Sequence, residues 1–277
     1  MSFRIFFILL EAVFPKIVQI FYHEIQNEET MKKKLLLFVT GVFALSAVQA
    51  QKLELFGMGS YNSTWLFNQN ISDKGDIQDY AAGWGYNYGA GLAFYFSPKL
   101  GIEIDGLMNQ HVGAYTGTMD SNRTYTSNVK LNSIEIPVLF KLRSETGAFF
   151  EVGPQIGLVS NARYTFHQSY TSGGSTVLND TSFDAMSKYG SMNLSAVLGF
   201  GIKIKFGKHL GLKTGIRLSY GLLDLKGVDA LGQDLGNSTL YTSYKPTNSA
   251  SGGLFLGLVW SLGGDDNSTP PPPPPPH

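Results

Sequence analysis

Residues 100–115 read LGIEIDGLMNQHVGAY, and this stretch decides the fold. Its even positions are apolar apart from one glutamine, whereas Glu103, Asp105 and His111 stand at odd positions. Such alternation predicts a β-strand, because successive side chains of a strand point to opposite faces. The stretch therefore predicts a strand with one apolar face and one charged face.

The same alternation recurs in six further segments of the chain. They are residues 84–96, 134–142, 148–158, 192–206, 210–222 and 252–262. In all seven segments the even positions carry no charged side chain, so the two faces are separated along the whole chain. An eighth segment, residues 52–62, is less regular and opposes apolar residues and glycines to Glu54, and we expect it to form the first strand.

The connections between these segments alternate in length. Three are short turns, namely residues 97–99, 143–147 and 207–209. Four are long and polar, namely residues 63–83, 116–128, 161–189 and 223–249. An even number of strands with short turns on one side and long loops on the other is typical of an outer-membrane barrel. We predict an all-β fold over residues 51–263, an eight-stranded antiparallel up-and-down transmembrane β-barrel.

Aromatic residues gather at both ends of the predicted strands. Near the short turns stand Phe96, Phe140, Phe150, Phe206 and Trp260. Near the long loops stand Trp84, Tyr86, Tyr88, Tyr115, Tyr164, Tyr189 and Tyr220. Two aromatic belts mark the two interfaces of a membrane, so we expect these side chains to face the lipid. A soluble lipocalin-like barrel or a β-sandwich is the alternative, since its core would alternate in the same way.

Residues 31–50, MKKKLLLFVTGVFALSAVQA, combine a basic start, a short apolar run and an A-x-A-like end. This pattern predicts a secretory signal peptide and a mature chain that begins at Gln51. A membrane anchor is the alternative, but the apolar run is too short to favour it. Residues 1–30 precede Met31, and we expect an upstream extension there with the true start at Met31. Residues 264–277 contain seven consecutive prolines and predict a disordered periplasmic tail.

The composition excludes several classes of protein. The chain has 21 basic and 21 acidic residues, so it lacks the positive surplus of a nucleic-acid-binding domain. It holds no cysteine, which excludes a disulfide framework, a cysteine-ligated metal site and a lipid anchor on cysteine. We expect no cofactor and no nucleic-acid partner.

Three short motifs follow one another along the predicted strands. Residues 134–141 read IEIPVLFK, residues 153–157 read GPQIG, and residues 217–222 read RLSYGL. In this order they resemble the motifs of the PorT-like outer-membrane β-barrel family, and the resemblance covers nearly all of the mature chain. Asn193 stands where the family often has aspartate. The resemblance implies an eight-stranded outer-membrane barrel, but it implies no activity, because most members have none assigned.

Eight strands leave a lumen that side chains just fill. Ten charged residues are expected to face it, namely Glu54, Glu103, Asp105, Glu135, Lys141, Glu151, Lys203, Lys205, Lys213 and Arg217. Because unpaired buried charges are costly, we predict that they form a salt-bridge network across the lumen and plug the barrel. A narrow pore that conducts ions along these charges is the alternative.

The enzyme hypothesis is an outer-membrane hydrolase that acts on lipid or peptide, or an acyltransferase. Either enzyme needs a histidine beside a nucleophile or a carboxylate near the outer rim. The candidates are His111, which faces inward, and His167, which lies in the third long loop. Asp105 is about 20 Å from His111 along the strand and therefore too far away to orient it. The chain contains neither a G-x-S-x-G nor an H-E-x-x-H motif. We therefore predict no catalytic residue.

Residues 73–79, DKGDIQD, gather three carboxylates in the first long loop. They lack the spacing and the terminal glutamate of an EF-hand loop. We expect a solvated acidic loop and no metal site there, with Ca²⁺ binding as the alternative.

These observations together predict a structural or recognition scaffold that displays four long extracellular loops, with a secretion or envelope complex as its candidate associate. The last strand, residues 257–262, resembles the terminal-strand signal read by the barrel insertion machinery. Expected partners are outer-membrane lipid, that machinery, and a protein that binds the outer loops or the proline-rich tail. We expect a monomer.

Overall fold

The structure is a computed structural model, and it describes residues 52–73, 77–120, 123–172, 175–227 and 243–262. The expected upstream extension, signal peptide and proline-rich tail lie outside the described residues. Within the described ranges, no helix is long and apolar enough to cross a membrane.

The described residues form ten strands, one short helix and one 3₁₀ turn. The strands are β1 (Lys52–Asn68), β2 (Asp79–Ala81), β3 (Gly83–Tyr95), β4 (Leu100–Asp120), β5 (Arg123–Arg143), β6 (Ala148–Ser172), β7 (Ser175–Asp184), β8 (Met192–Lys205), β9 (Leu210–Gly221) and β10 (Thr247–Leu262). Helix α1 spans Gln69–Ser72, and the 3₁₀ turn spans Met186–Lys188.

Eight of these strands close into a ring. Its order is β1, β3, β4, β5, β6, β8, β9 and β10, and β10 pairs back with β1. Every pairing in the ring is antiparallel, which confirms the predicted eight-stranded up-and-down barrel. The remaining two strands are not members of the ring. β2 pairs with β4, and β7 pairs with β6.

Two of the predicted long loops are largely strand, and a third is strand in part. β4 and β5 pair as far as Asp120 with Arg123, and β6 and β7 pair as far as Ser172 with Ser175. β1 continues to Asn68. The prediction of loops at residues 63–83, 116–128 and 161–189 was therefore wrong in extent. Beyond the membrane the outward face of a strand can be polar, so Thr, Ser and Asn on that face conceal the alternation.

The outer wall of the ring is apolar. Its exposed side chains include Leu55, Ile104, Ile136, Val138, Val152, Ile202 and Leu256. The expected belt residues Phe96, Phe140, Phe150, Phe206, Trp260, Trp84, Tyr86, Tyr88 and Tyr220 are also exposed. An apolar wall flanked by exposed aromatic side chains suits a lipid environment.

Candidate functional site

The centre of the barrel holds six charged side chains, which we call the central charge cluster. Its members are Glu103 and Asp105 from β4, Lys141 from β5, Glu151 from β6, and Lys213 and Arg217 from β9. Their side chains are between 0 and 9% exposed. Three carboxylates face three cations, so the formal charges of the cluster cancel.

Glu103 is the carboxylate that all three cations share. Its Oε2 lies 2.6 Å from Lys141 Nζ, and its Oε1 lies 2.8 Å from Lys213 Nζ. Arg217 Nη2 lies 3.1 Å from Glu103 Oε1, and Arg217 Nη1 donates to Asp105 Oδ2 at 2.8 Å. Pairs with such short contacts can offset the cost of removing both charges from water.

Aromatic rings surround the same cations. Lys213 Nζ lies 3.2 Å from the centroid of the Phe56 ring, and Lys141 Nζ lies 4.0 Å from that of Phe149. Both rings are buried. A ring face attracts a cation, and the attraction is strongest away from water. The aromatic side chains therefore stabilise the cluster as well as filling the lumen.

Two glycines in the wall make room for the carboxylates. A Cβ added at Gly199 would lie 2.6 Å from the Cγ of Glu151, and one added at Gly91 would lie 2.3 Å from Oδ1 of Asp105. Real Cβ atoms do not approach non-bonded neighbours this closely, so neither position has space for a larger residue. The glycines on the inward face thus have a role that the alternation alone did not indicate.

A second, smaller group of charges lies at the short-turn end. Lys203 Nζ donates to Glu54 Oε1 at 2.7 Å, and Arg143 Nη1 lies 3.3 Å from the same oxygen. The Arg143 guanidinium also stacks 3.8 Å above the Tyr95 ring. Arg143 was missed from the sequence because it was assigned to a turn, whereas it is the last residue of β5. Lys205 lies exposed at the end of β8.

Glu135 lies apart from the other charged groups, in a small polar chamber. Its Oε1 accepts a hydrogen bond of 2.9 Å from Asn109 Nδ2. The other lining residues are mainly short and polar, and include Ser133, Asn193, Ser195, Ser219 and Ser249. The chamber offers about 20 Å³ to the centres of water molecules, which is room for about one or two waters.

Apolar side chains close the long-loop end of the interior, and we call them the mouth cluster. They are Leu66, Ile71, Tyr115, Tyr125, Val129, Leu131, Val159, Ala162, Tyr164, Phe166, Ala185, Tyr189 and Leu225. The expectation that Tyr115, Tyr164 and Tyr189 face lipid was therefore wrong, since they are 1, 1 and 6% exposed. Three members of the mouth cluster, Leu131, Val159 and Leu225, also line the polar chamber.

A bulge in β6 explains the position of Tyr164. Asn132 of β5 pairs with Asn161, but Ser133 pairs with Val159, so Ser160 has no partner across the ladder. An extra residue in one strand reverses which side chains face inward from that point on. Glu151 and Val159 face inward at odd positions, whereas Tyr164 faces inward at an even one.

The two candidate histidines lie in different surroundings. His111 is 8% exposed, and its Nε2 is 2.9 Å from the carbonyl oxygen of Trp65. His167 is exposed on β6, and its Nδ1 is 2.8 Å from Oδ1 of Asp180 on β7. Sequence reasoning placed His167 and Asp180 in one loop, and only the pairing of β6 with β7 brings them together.

The acidic segment 73–79 is described only at its ends. Asp73 caps α1, and Asp79 begins β2, where its Oδ1 accepts from the backbone N–H of Tyr80 at 2.7 Å. Among the residues that the structure describes, three or more metal-ligating side chains do not gather anywhere.

One protein family matches more than half of the chain. Its model, described as outer membrane protein beta-barrel domain, matches residues 49–227. No curated protein matches the chain. Among the solved structures that match, three are similar over nearly their whole length, with low identity and a low TM-score in each case.

The first of these is neisserial surface protein A (NspA), with 12% identity, a TM-score of 0.35, and coverage of 76% of this chain and 99% of that one. Ail, the attachment invasion locus protein of Yersinia pestis, gives 10%, 0.32, 78% and 100% in the same order. The outer-membrane protease OmpT of Escherichia coli gives 8%, 0.31, 78% and 99%. At these values no inference about activity passes from those proteins to this one.

Proposed function

We propose a function for this chain, which belongs to the outer membrane protein beta-barrel domain family. It is a scaffold with a closed lumen, and its extended outer strands serve recognition of a partner. Its place is the outer membrane, and its wall is apolar where lipid would contact it. Its role is that of a scaffold and it transports nothing. A secretion or envelope complex is its candidate associate.

The blocked lumen is the observation that carries the proposal. The central charge cluster fills the middle of the barrel with side chains that are at most 9% exposed. The mouth cluster adds a second, apolar barrier, in which Leu66, Val129 and Ala162 are 0% exposed. Eight-stranded barrels have interiors just wide enough for such filling. A solute would have to displace both layers, which argues against a pore.

The unequal length of the strands supports recognition on one side. β4 and β5 have 21 residues each and β6 has 25, whereas β8 and β9 have 14 and 12. A membrane strand needs about 9–11 residues. β4, β5 and β6 therefore continue well beyond the membrane, and with β7 they form a sheet that we call the outer sheet. A rigid sheet of this kind presents side chains at fixed spacing, which suits binding of a protein.

The last strand of the barrel, β10, carries an outward row of apolar side chains. The outward residues of β10, Leu254, Leu256, Leu258, Trp260 and Leu262, are all exposed. This row supports recognition of the last strand by the barrel insertion machinery. We further propose that the protein acts as a monomer, because its ring is already closed by the pairing of β1 with β10.

A photo-crosslinking amino acid placed at two positions tests the recognition role. Thr126 lies exposed on the outer sheet, and Val138 lies exposed on the same strand within the apolar wall. In intact cells we expect a discrete protein adduct from position 126 and none from position 138. Deletion of residues 118–124, which include the last pairs of β4 with β5, should remove the adduct. Lipid adducts alone at both positions would contradict the proposal.

A further inference from the structure

Lys130 and Arg163 lie directly opposite each other on the outer wall. Lys130 of β5 and Arg163 of β6 are cross-strand partners, and both side chains are exposed. Directly opposed side chains have Cβ atoms about 5 Å apart. Two positive charges are therefore held side by side on the outside of the barrel.

The bulge at Ser160 is what places Arg163 there. Below the bulge the odd residues of β6 face inward, as Glu151 and Gln155 do, whereas above it Arg163 faces outward. If the ladder continued at this point without a bulge, Arg163 would point into the mouth cluster and Lys130 would have the apolar Ala162 as its neighbour. β-Bulges that re-aim a side chain are frequent at functional positions.

Neither cation has a partner in the described part of the chain. The nearest acid in the ladder is Asp184 of β7, which pairs with Arg163 across the strands. Its Oδ1 instead accepts from the backbone N–H of Met186 at 2.9 Å, and no ion pair joins it to Arg163. Like charges directly opposite each other destabilise a sheet, so an external anion between them would relieve a repulsion.

The height of the pair matches the headgroup layer. Towards the long-loop end, Ile134 is the last exposed apolar residue of β5 and Leu158 is the last one of β6, at 40 and 46% exposure. Lys130 is four residues beyond Ile134, which is about 13 Å along the strand and about 10 Å along the membrane normal for a strand tilted by about 40°. Asn132 and Asn161 lie between the apolar wall and the cations and are polar. Long basic side chains at this level reach back to the interface.

We infer that Lys130 and Arg163 together bind the phosphate of an anionic lipid headgroup in the outer leaflet. Arginine offers a planar fork to phosphate oxygens and lysine a point charge, so the two complement each other. The inference goes beyond the proposed function and does not depend on it, because it concerns the lipid around the barrel and no protein partner.

Lipid retention by the purified protein tests this inference. The folded protein in neutral detergent micelles is mixed with dioleoyl phosphatidic acid or with dioleoyl phosphatidylcholine, and bound lipid is counted by native mass spectrometry. We expect K130Q/R163Q to bind phosphatidic acid on the order of tenfold more weakly than the wild type at moderate salt. Binding of phosphatidylcholine should not change.

Two further variants separate the site from overall charge. K188Q/K208Q loses two exposed lysines that lie elsewhere, and K130R/R163K keeps both charges in place. Both should retain phosphatidic acid like the wild type. Equal retention by K130Q/R163Q, or equal loss in K188Q/K208Q, would overturn the inference.

Two further outcomes of the experiment concern folding of the double variant and competition by free phosphate. If K130Q/R163Q fails to show a folded band in unheated gels, the single variant K130Q serves, with an expected loss of severalfold. Displacement of the lipid by millimolar inorganic phosphate would overturn the assignment to a lipid, since it would indicate a site for free phosphate.

Discussion

Glu151 and Arg217 form their ion pair across an intervening strand. Glu151 of β6 pairs with Gly199 of β8, and Gly199 pairs in turn with Arg217 of β9. The Glu151 side chain crosses over the glycine, and its Oε1 lies 2.6 Å from Nη2 of Arg217. The ion pair therefore depends on the absence of a side chain at Gly199 as well as on the two charged residues.

Gly199→Ala should destabilise the barrel. The new methyl group would lie 2.6 Å from two atoms of the Glu151 side chain, which cannot move without leaving Arg217. Overpacking of this kind costs about 1–3 kcal/mol in free energy of unfolding. Urea-induced unfolding in micelles, followed by tryptophan fluorescence, measures the change. Gly106→Ala is the matched control, because its nearest neighbour would be 4.0 Å away, and an equal effect of the two would refute the argument.

Arg217→Gln should cost more than Gly199→Ala. Its removal leaves Glu103, Asp105 and Glu151 with two lysines among buried groups. Removing one partner of a buried ion pair typically costs about 3–5 kcal/mol. R217K should recover part of the loss, because an ammonium cannot reach three carboxylates at once. The same unfolding assay applies, and an R217Q protein as stable as K208Q, which alters an exposed lysine, would contradict this account.

Deletion of Ser160 should leave the outer sheet folded. The shortened strand would keep its pairing with β5 without a bulge, so Tyr164 would still face the mouth cluster. Deletion of Thr165 instead leaves the bulge in place and should reverse the faces beyond it, so Phe166 would leave the mouth cluster. Limited proteolysis of the folded protein should cut the outer sheet of the Thr165 deletion variant and spare that of the Ser160 deletion variant. Cleavage of both variants at the same rate would show that the bulge does not set the register.

Tyr244 should lose its phenolic proton at a higher pH than an ordinary tyrosine does. Its reduced hydration and the hydrogen bond that it donates to Asp224 raise the pKa of Tyr244 from 10.0 to about 12. Because the folded-state pKa is the higher one, the contact contributes its full stabilisation below pH 10 and loses it as the pH rises through 12. The absorbance difference at 295 nm between the wild type and Y244F should titrate near pH 12. A midpoint near 10 would contradict the contact.

The sequence predicted the strands of the membrane part well because lipid imposes one rule on the outer face. From Leu100 to Met108 every outward residue is apolar or glycine, so the alternation is unbroken. Beyond the membrane this rule ends, and Thr124 and Thr126 can face water on either side of the inward Tyr125. The pattern then resembles a polar loop, which is why β7 and the outer ends of β4, β5 and β6 were assigned to loops.

The inward side chains could be named from the sequence, but their partners could not. The alternation indicates that Glu103 and Lys213 face the lumen. Their contact depends on which strands lie opposite each other across the lumen, and the alternation does not specify this. The separate position of Glu135 follows from its neighbours on β4 and β8, which alternation does not specify. The bulge at Ser160 leaves no signal in the hydrophobic pattern, so the inward position of Tyr164 could be learned only from the pairing.

Single-channel recording in planar lipid bilayers tests the central claim most directly. The claim is that the central charge cluster and the mouth cluster together block the lumen, so that the protein is a scaffold. The account predicts no steady conductance steps from the folded wild-type protein at any applied voltage that the bilayer withstands. Steady steps that change in size in Glu135→Gln or Arg217→Gln would mean that ions pass through the lumen, and they would contradict it.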